Sequence, residues 1–230
     1  DSLLSKMRNC DLNALAITNK WFNSTIDDFQ GRYHSIIRVL GRFFKVEEFG
    51  PFQEIQGSTG LLISGSAALQ FFNCASWEAD LDTYCIYSRC SEVGIWYMSI
   101  GYEFIPTTGQ ASKFTDDHAS LLTMQKDGNL STPEDYDGDH IARVWNFVRG
   151  TSKIQLIGSV HAPLQVVLSF HSTCVMNVIT HTAAYSLFPD LTFNKKASVA
   201  TKLSYPLTKK RHEAFQKYIE RGYDIVATVD

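Results

Sequence analysis

Apolar positions near the start of the chain recur at helical spacing. Asp11 can cap a helix running through Leu12, Leu15, Ala16 and Asn19 and ending near Phe22. Ile36, Ile37, Leu40, Phe43 and Phe44 follow at intervals of three and four and predict a second helix, and Gly50-Pro51 is expected to close this helical portion. The pattern then changes. Leu61-Leu62-Ile63 is a short apolar run ending in Ser64-Gly65-Ser66, after which Ala67, Ala68, Leu69, Phe71 and Phe72 predict a helix. Leu81, Thr83, Cys85 and Tyr87 alternate with Asp80, Asp82, Tyr84 and Ile86, the period of a strand. Ser91 can cap a helix through Val93, Trp96, Tyr97 and Ile100, stopped by Gly101, and Tyr102 to Pro106 reads as another short strand.

Residues 107–139 are polar and acidic and predict a long loop or an irregular hairpin. Ile141 to Val148 and Lys153 to Ile157, separated by Arg149-Gly150-Thr151-Ser152, predict a hairpin. A helix is expected from Pro163 to Phe170. Another is expected from Thr208 to Arg221 with Phe215, Tyr218 and Ile219 inward, and Ile225-Val226-Ala227 predicts a last strand. Strand, helix, strand, helix, strand is the grammar of an α/β or α+β fold. The division expected is a short helical segment over 1–49 and one α/β domain over 50–230.

Composition narrows the class. Apolar residues make up 44% and aromatic residues 13% of 230 residues, enough for a sizeable core. Apolar runs extend only a few residues, which argues against a membrane span, and the N-terminus lacks the basic-then-apolar order of a signal peptide. The five cysteines are odd in number and scattered in apolar contexts, which predicts buried free thiols and an intracellular location, cytoplasmic or nuclear. A net charge of −3 gives no general signal for nucleic-acid binding. Charge is nonetheless uneven: 113–139 is acidic, while 193–221 is rich in lysine and arginine, a solvated face or a basic rim for phosphates.

The stretch that carries chemistry is Ile63-Ser64-Gly65-Ser66 followed by Asp80-Leu81-Asp82. A Gly-Ser turn leaving a strand and entering a helix aims backbone N–H groups and the helix N-terminus at one spot, which suits a phosphate. Residues two apart on a strand share a face, so Asp80 and Asp82 present two carboxylates together. Paired oxygen ligands suit magnesium or manganese, and magnesium bridges carboxylates to substrate phosphates. Fifteen aspartates make one Asp-x-Asp pair expected by chance, and Asp135-x-Asp137-x-Asp139 is another. The latter has His140 and Asn146 where a calcium loop needs Gly and Glu, and reads as solvated loop.

Context distinguishes the first pair. Gly65-Ser66, a thirteen-residue interval from Ala67 to Ala79, then Asp80-Leu81-Asp82 resembles the signature of the nucleotidyltransferase superfamily. That resemblance implies a mixed sheet flanked by helices, phosphate held at Gly65 and Ser66, and metal held at Asp80 and Asp82. It implies transfer of a nucleotidyl group from a nucleoside triphosphate to an unknown acceptor. It also implies a third carboxylate on a later strand. The matching strand, Lys153 to Ile157, offers Gln155 instead, leaving two readings: an acid supplied from elsewhere, such as Asp116 or Asp117, or a catalytically silent binding module. Ser64 to Phe72, Gly101 to Pro106 and Ser169 to Asn177 also resemble uncharacterised proteins of mushroom-forming fungi, which implies no activity.

Two further features carry alternatives. Leu3 to Met7 and Asp11 to Phe22 resemble the latter half of an F-box, which implies a ubiquitin-ligase adaptor as partner; an ordinary packed helix pair is the other reading. His171, Ser172 and Cys174 invite a nucleophile reading, but Val167, Leu168, Phe170, Val175 and Met176 around them predict core.

Overall fold

The computed structural model describes residues 3–4, 7, 9–33, 35–126, 140–201 and 209–227. The elements run α1 (Asn9–Ala16), α2 (Lys20–Tyr33), α3 (Ile36–Leu40), α4 (Phe49–Thr59), β1 (Leu62–Ile63), α5 (Gly65–Asn73), β2 (Leu81–Ile86), α6 (Cys90–Ser99) and β3 (Glu103–Ile105). They continue through α7 (Phe114–Lys126), β4 (Ile141–Arg149), β5 (Ser152–Ser159), α8 (Pro163–Leu168), β6 (Asn177–Ile179), β7 (Ala184–Ser186), β8 (Ala197–Val199), α9 (Lys209–Glu220) and β9 (Asp224–Val226).

The fold is mixed α/β. Seven strands form one sheet in the order β3-β4-β5-β2-β1-β6-β7, parallel between β2 and β5 and antiparallel elsewhere, with helices flanking it. β8 and β9 pair in parallel as a small second sheet. Side-chain alternation decides what each face of the large sheet does. Leu81 and Cys85 of β2, Ile154 and Leu156 of β5, and Trp145 and Phe147 of β4 form one face. They are buried with Phe52 of α4, Val93 and Tyr97 of α6, and Phe114 and Leu121 of α7. Each fully buried phenylalanine here stabilises the fold by about 1.5–3 kcal/mol. The other face carries Tyr84, Ile157 and Val144, covered by Val166 of α8 and by Phe170. At the end of this second face where β2 begins, the row turns polar: Asp82 pairs with Gln155, and Gln155 with Asn146.

Several elements depart from the sequence expectation. The helix expected from Asp11 to near Phe22 is two helices, because Asn19 accepts the Phe22 N–H at 2.9 Å and caps α2. α1 and α2 pack on each other around Leu12, Ile26 and Phe29, whereas Val39, Leu40, Phe43 and Phe44 join the main core. The helical stretch over 1–49 therefore packs in two parts. Gly50 and Pro51 do not end a helix; they lie in the first turn of α4, where a missing proline N–H leaves no bond unmade.

The largest departure is α7, in the stretch expected as loop or hairpin. Two of its polar residues, Asp117 and His118, face inward with partners. The buried Asp117 carboxylate accepts from Trp145 Nε1 at 2.7 Å and from the Ala111 N–H at 3.0 Å, and lies 3.3 Å from Arg143 Nε. His118 Nε2 bonds the Tyr87 carbonyl at 2.8 Å. Polar groups satisfied in this way are tolerated inside, so the composition hid a helix with one buried face. Asp117 is thus committed to the core face, away from Asp82, and does not serve as the missing third acid. Asp135, Asp137 and Asp139 lie outside the described residues. On α9, Phe215 and Tyr218 face inward as expected, but Ile219 is exposed.

Candidate functional site

The thirteen residues between Gly-Ser and the aspartates are taken up by α5 and the loop returning from it. β1 runs antiparallel to β2, with Ile63 opposite Thr83 and the Ser64 N–H donating to the Asp82 carbonyl at 3.3 Å. The end of β1 therefore lies beside the start of β2. Gly65 adopts φ of 65°, and the position a Cβ would take there is 2.9 Å from Asp82 Oδ2. Only glycine leaves room for that carboxylate. Ser64 Oγ donates to the Asn177 carbonyl at 2.5 Å and fixes the turn to β6.

Asp80 precedes β2 by one residue and shares the Asp82 side of the strand. Its Oδ2 lies 2.8 Å from Lys153 Nζ. Asp82 is only partly open to solvent. Burial first, and then the neighbouring Asp80 charge, push its carboxyl up to about 7, against the weaker opposing pull of Lys217 and Lys153. Gln155 occupies the position beside Asp82 on β5 and donates Nε2 to Asn146 Oδ1 at 2.9 Å.

The fourth predicted residue, Ser66, is buried and engaged. Its Oγ is 3.0 Å from the Tyr218 hydroxyl and accepts from Arg221 Nη1 at 3.2 Å. The Arg221 guanidinium is stacked 4.4 Å from the Trp77 ring and 5.2 Å from Tyr218. α9 thereby brings Lys217 and Tyr218 toward the aspartates, and Arg221 just beyond it to Ser66. Sequence reading reached Lys217 and Arg221 only as members of a basic stretch and Tyr218 as an inward helix residue; which of them face the site depends on how α9 folds back on α5. Lys217 has its ammonium pKa drawn down, first by burial and then by Arg221, while Asp82 and Asp80 act in the opposite sense. His171, packed against Phe215 and Tyr218, is held down to about 4, chiefly by burial. Ser172 and Cys174 beside it are buried, as core residues should be.

The four residues singled out in sequence thus stand together: Gly65 against Asp82, Asp80 on the same side, and Ser66 one residue into α5. Among the described residues, no group of three or more His, Cys, Asp or Glu side chains converges as a metal site, and no helix is long and apolar enough to cross a membrane. Cys74, Cys85, Cys90 and Cys174 are free thiols, the last three buried.

The Asp82 shift has a stability consequence. A carboxyl whose folded value lies near 7 instead of the usual 3.8 favours the fold when protonated. Its contribution is complete below about pH 4 and is lost as pH rises through 7. The separation corresponds to about 4 kcal/mol, of which partial solvent access leaves on the order of 2 kcal/mol. Asp82→Asn is neutral at every pH, so it should be more stable than the wild type by that amount at pH 8 and equal to it at pH 4. Denaturant melts across this range check it; equal offsets at both ends would show that Asp82 does not titrate there.

No protein-family model matches the chain, and no curated protein matches it. Among solved structures, it resembles a tRNA-processing enzyme in an apo form with a TM-score of 0.48 and 12% identity, over 80% of this chain and 45% of that one. The chain thus spans less than half the length of that enzyme.

Proposed function

We propose that this chain is a nucleotidyltransferase-like protein that binds a nucleoside triphosphate with magnesium or manganese at Asp80 and Asp82. The observation that carries the reading is the contact of Asp82 with Gly65. It sets the Asp82 carboxylate against the N-terminus of a nine-residue helix, where backbone N–H groups would meet phosphate oxygens. The donor set fits a divalent cation. Two carboxylates lie together on one side of β2, close enough that the Asp80 charge adds to burial in raising the Asp82 carboxyl. When bound, such a cation neutralises charge developing on the α-phosphate as a nucleotidyl group is transferred. Arg221 and Lys217 are the cations of this chain placed to meet the remaining phosphates, with Tyr218 and Arg221 fixing the Ser66 hydroxyl between them.

Gln155 favours a second reading of the same site, binding without efficient transfer. The position beside Asp82 carries an amide, a neutral and weaker ligand than a carboxylate. The chemistry supports nucleotide binding more strongly than turnover, and the acceptor would then be absent or merely held.

Thermal melts with each nucleoside triphosphate plus magnesium or manganese test this. A ligand at a hundred times its Kd stabilises the fold by about 2.7 kcal/mol, a rise of roughly 5–10 °C for a chain of this size. Asp80→Asn combined with Asp82→Asn should abolish the nucleotide-dependent rise, measured against the variant's own ligand-free melt because Asp82→Asn stabilises by itself. If no nucleotide shifts the wild type, the binding reading is lost. Metal-dependent pyrophosphate release that vanishes in the double variant would make the chain a transferase and Gln155 a tolerated change.

A further inference from the structure

We infer that Lys153 takes the place of a second divalent cation, so that the site binds one metal ion per triphosphate; the inference rests on the nucleotide-binding reading above. The β2–β5 register sets Asp82 against Gln155 and Leu81 against Ile154, which continues to Asp80 against Lys153. The ammonium lies 2.8 Å from Asp80 Oδ2, and the two side chains are 39% and 41% exposed, so the pair sits at the mouth of the site and not in the core.

Charge decides the count. Two divalent cations in a shared site lie about 3.5–4 Å apart and bring four positive charges. Holding them takes a run of carboxylates whose charge and lone pairs reach both. Here Asp80 and Asp82 supply two negative charges, and Lys153 cancels one of them. Gln155 adds none, and its amide N–H is already donated to Asn146, which fixes the side chain on that neighbour. Lys217 bears on both carboxylates from α9 as well, lowering further the demand for added positive charge. A lysine ammonium is a compact charge that binds a carboxylate at ordinary hydrogen-bond distance; its other N–H groups can donate hydrogen bonds, but its nitrogen has no empty orbital to take an oxygen lone pair as a metal ion does. It therefore balances Asp80 without being able to coordinate an acceptor hydroxyl. The neutral amide of Gln155 and the presence of Lys153 two residues before it act in the same direction.

Equilibrium dialysis with Mn2+ and inorganic tripolyphosphate on both sides of the membrane measures the ions retained per chain without depending on a base. The wild type should retain one. Lys153→Gln, at a half-exposed position that tolerates the change, should still retain one but bind it about five-fold more tightly, because Asp80 is released from an ion pair of ordinary surface strength. Lys153→Gln with Gln155→Glu should retain two. Two ions on the wild type, an unchanged affinity in Lys153→Gln, or a single ion on the folded double variant would each overturn the role given to Lys153. No Mn2+ retained by any form would remove the nucleotide-and-metal reading along with it.

Discussion

Gly94→Ala should destabilise the protein by about 2 kcal/mol or more, although the same change usually strengthens a helix. In an exposed helix interior, alanine in place of glycine gains up to about 1 kcal/mol. At Gly94, in the middle of α6, an added Cβ would lie 2.2 Å from Phe114 Cζ, a distance no pair of carbon atoms sustains. Phe114 cannot step aside. Its ring is buried between Trp145, Phe147 and Phe104, with centroids 5.3–5.9 Å away. Overpacking a core of this density costs about 1–3 kcal/mol, and the upper end applies where the obstructing ring is enclosed on all sides. The overpacking term outweighs the helix propensity. Gly31→Ala supplies the contrast: that glycine lies within α2 with nothing inside 4 Å of the added carbon, so it should gain stability. Denaturant melts of the two variants should move in opposite directions. A stabilised Gly94→Ala would mean that α6 and α7 do not pack as described.

That contact also shows where the sequence was readable. β2, β4 and β5 declare themselves because strict alternation serves one apolar and one partly polar face. The Gly-Ser turn and the Asp-x-Asp strand could be joined in advance because an antiparallel return brings together segments only thirteen residues apart. Gln155 was singled out beforehand through the resemblance, which implies a third carboxylate on a later strand, and the register now sets it beside Asp82. α7 was not readable. Asp117 and His118 look like loop residues until Trp145 and the Tyr87 carbonyl, from distant segments, are seen to satisfy them. The break between α1 and α2 depended on a single side chain, Asn19, turning back to cap the second helix. The cationic wall was hidden for the same reason as α7. Nothing local in 209–221 distinguishes Lys217 and Arg221 from the other basic residues until α9 is laid over α5 and Trp77.

Gly65→Ala should separate stability from binding at the site itself. The residue has φ of 65°, a left-handed conformation that costs a side-chain-bearing residue about 1 kcal/mol. Its added carbon would also fall 2.9 Å from Asp82 Oδ2. The carboxylate is the far end of a short side chain and can turn away, so the fold should survive, with a loss of about 1–2 kcal/mol. Binding should not survive in the same measure. Turning Asp82 out removes one of the two carboxylates proposed to hold the metal and opens the gap between the aspartates and the first N–H groups of α5. The rise in melting temperature produced by a nucleoside triphosphate and magnesium should therefore fall away, corresponding to affinity lower by roughly ten-fold or more. Gly150→Ala isolates the backbone cost. Gly150 has φ of 59° with nothing within 4 Å of an added carbon, and it lies in the β4–β5 turn away from the Gly65 contact. That variant should lose similar stability yet keep its nucleotide-dependent rise. If Gly65→Ala keeps the rise as well, the close approach of Asp82 to this turn is not what holds the ligand. If both variants lose it, the effect is general loosening of the fold and not the geometry of the site.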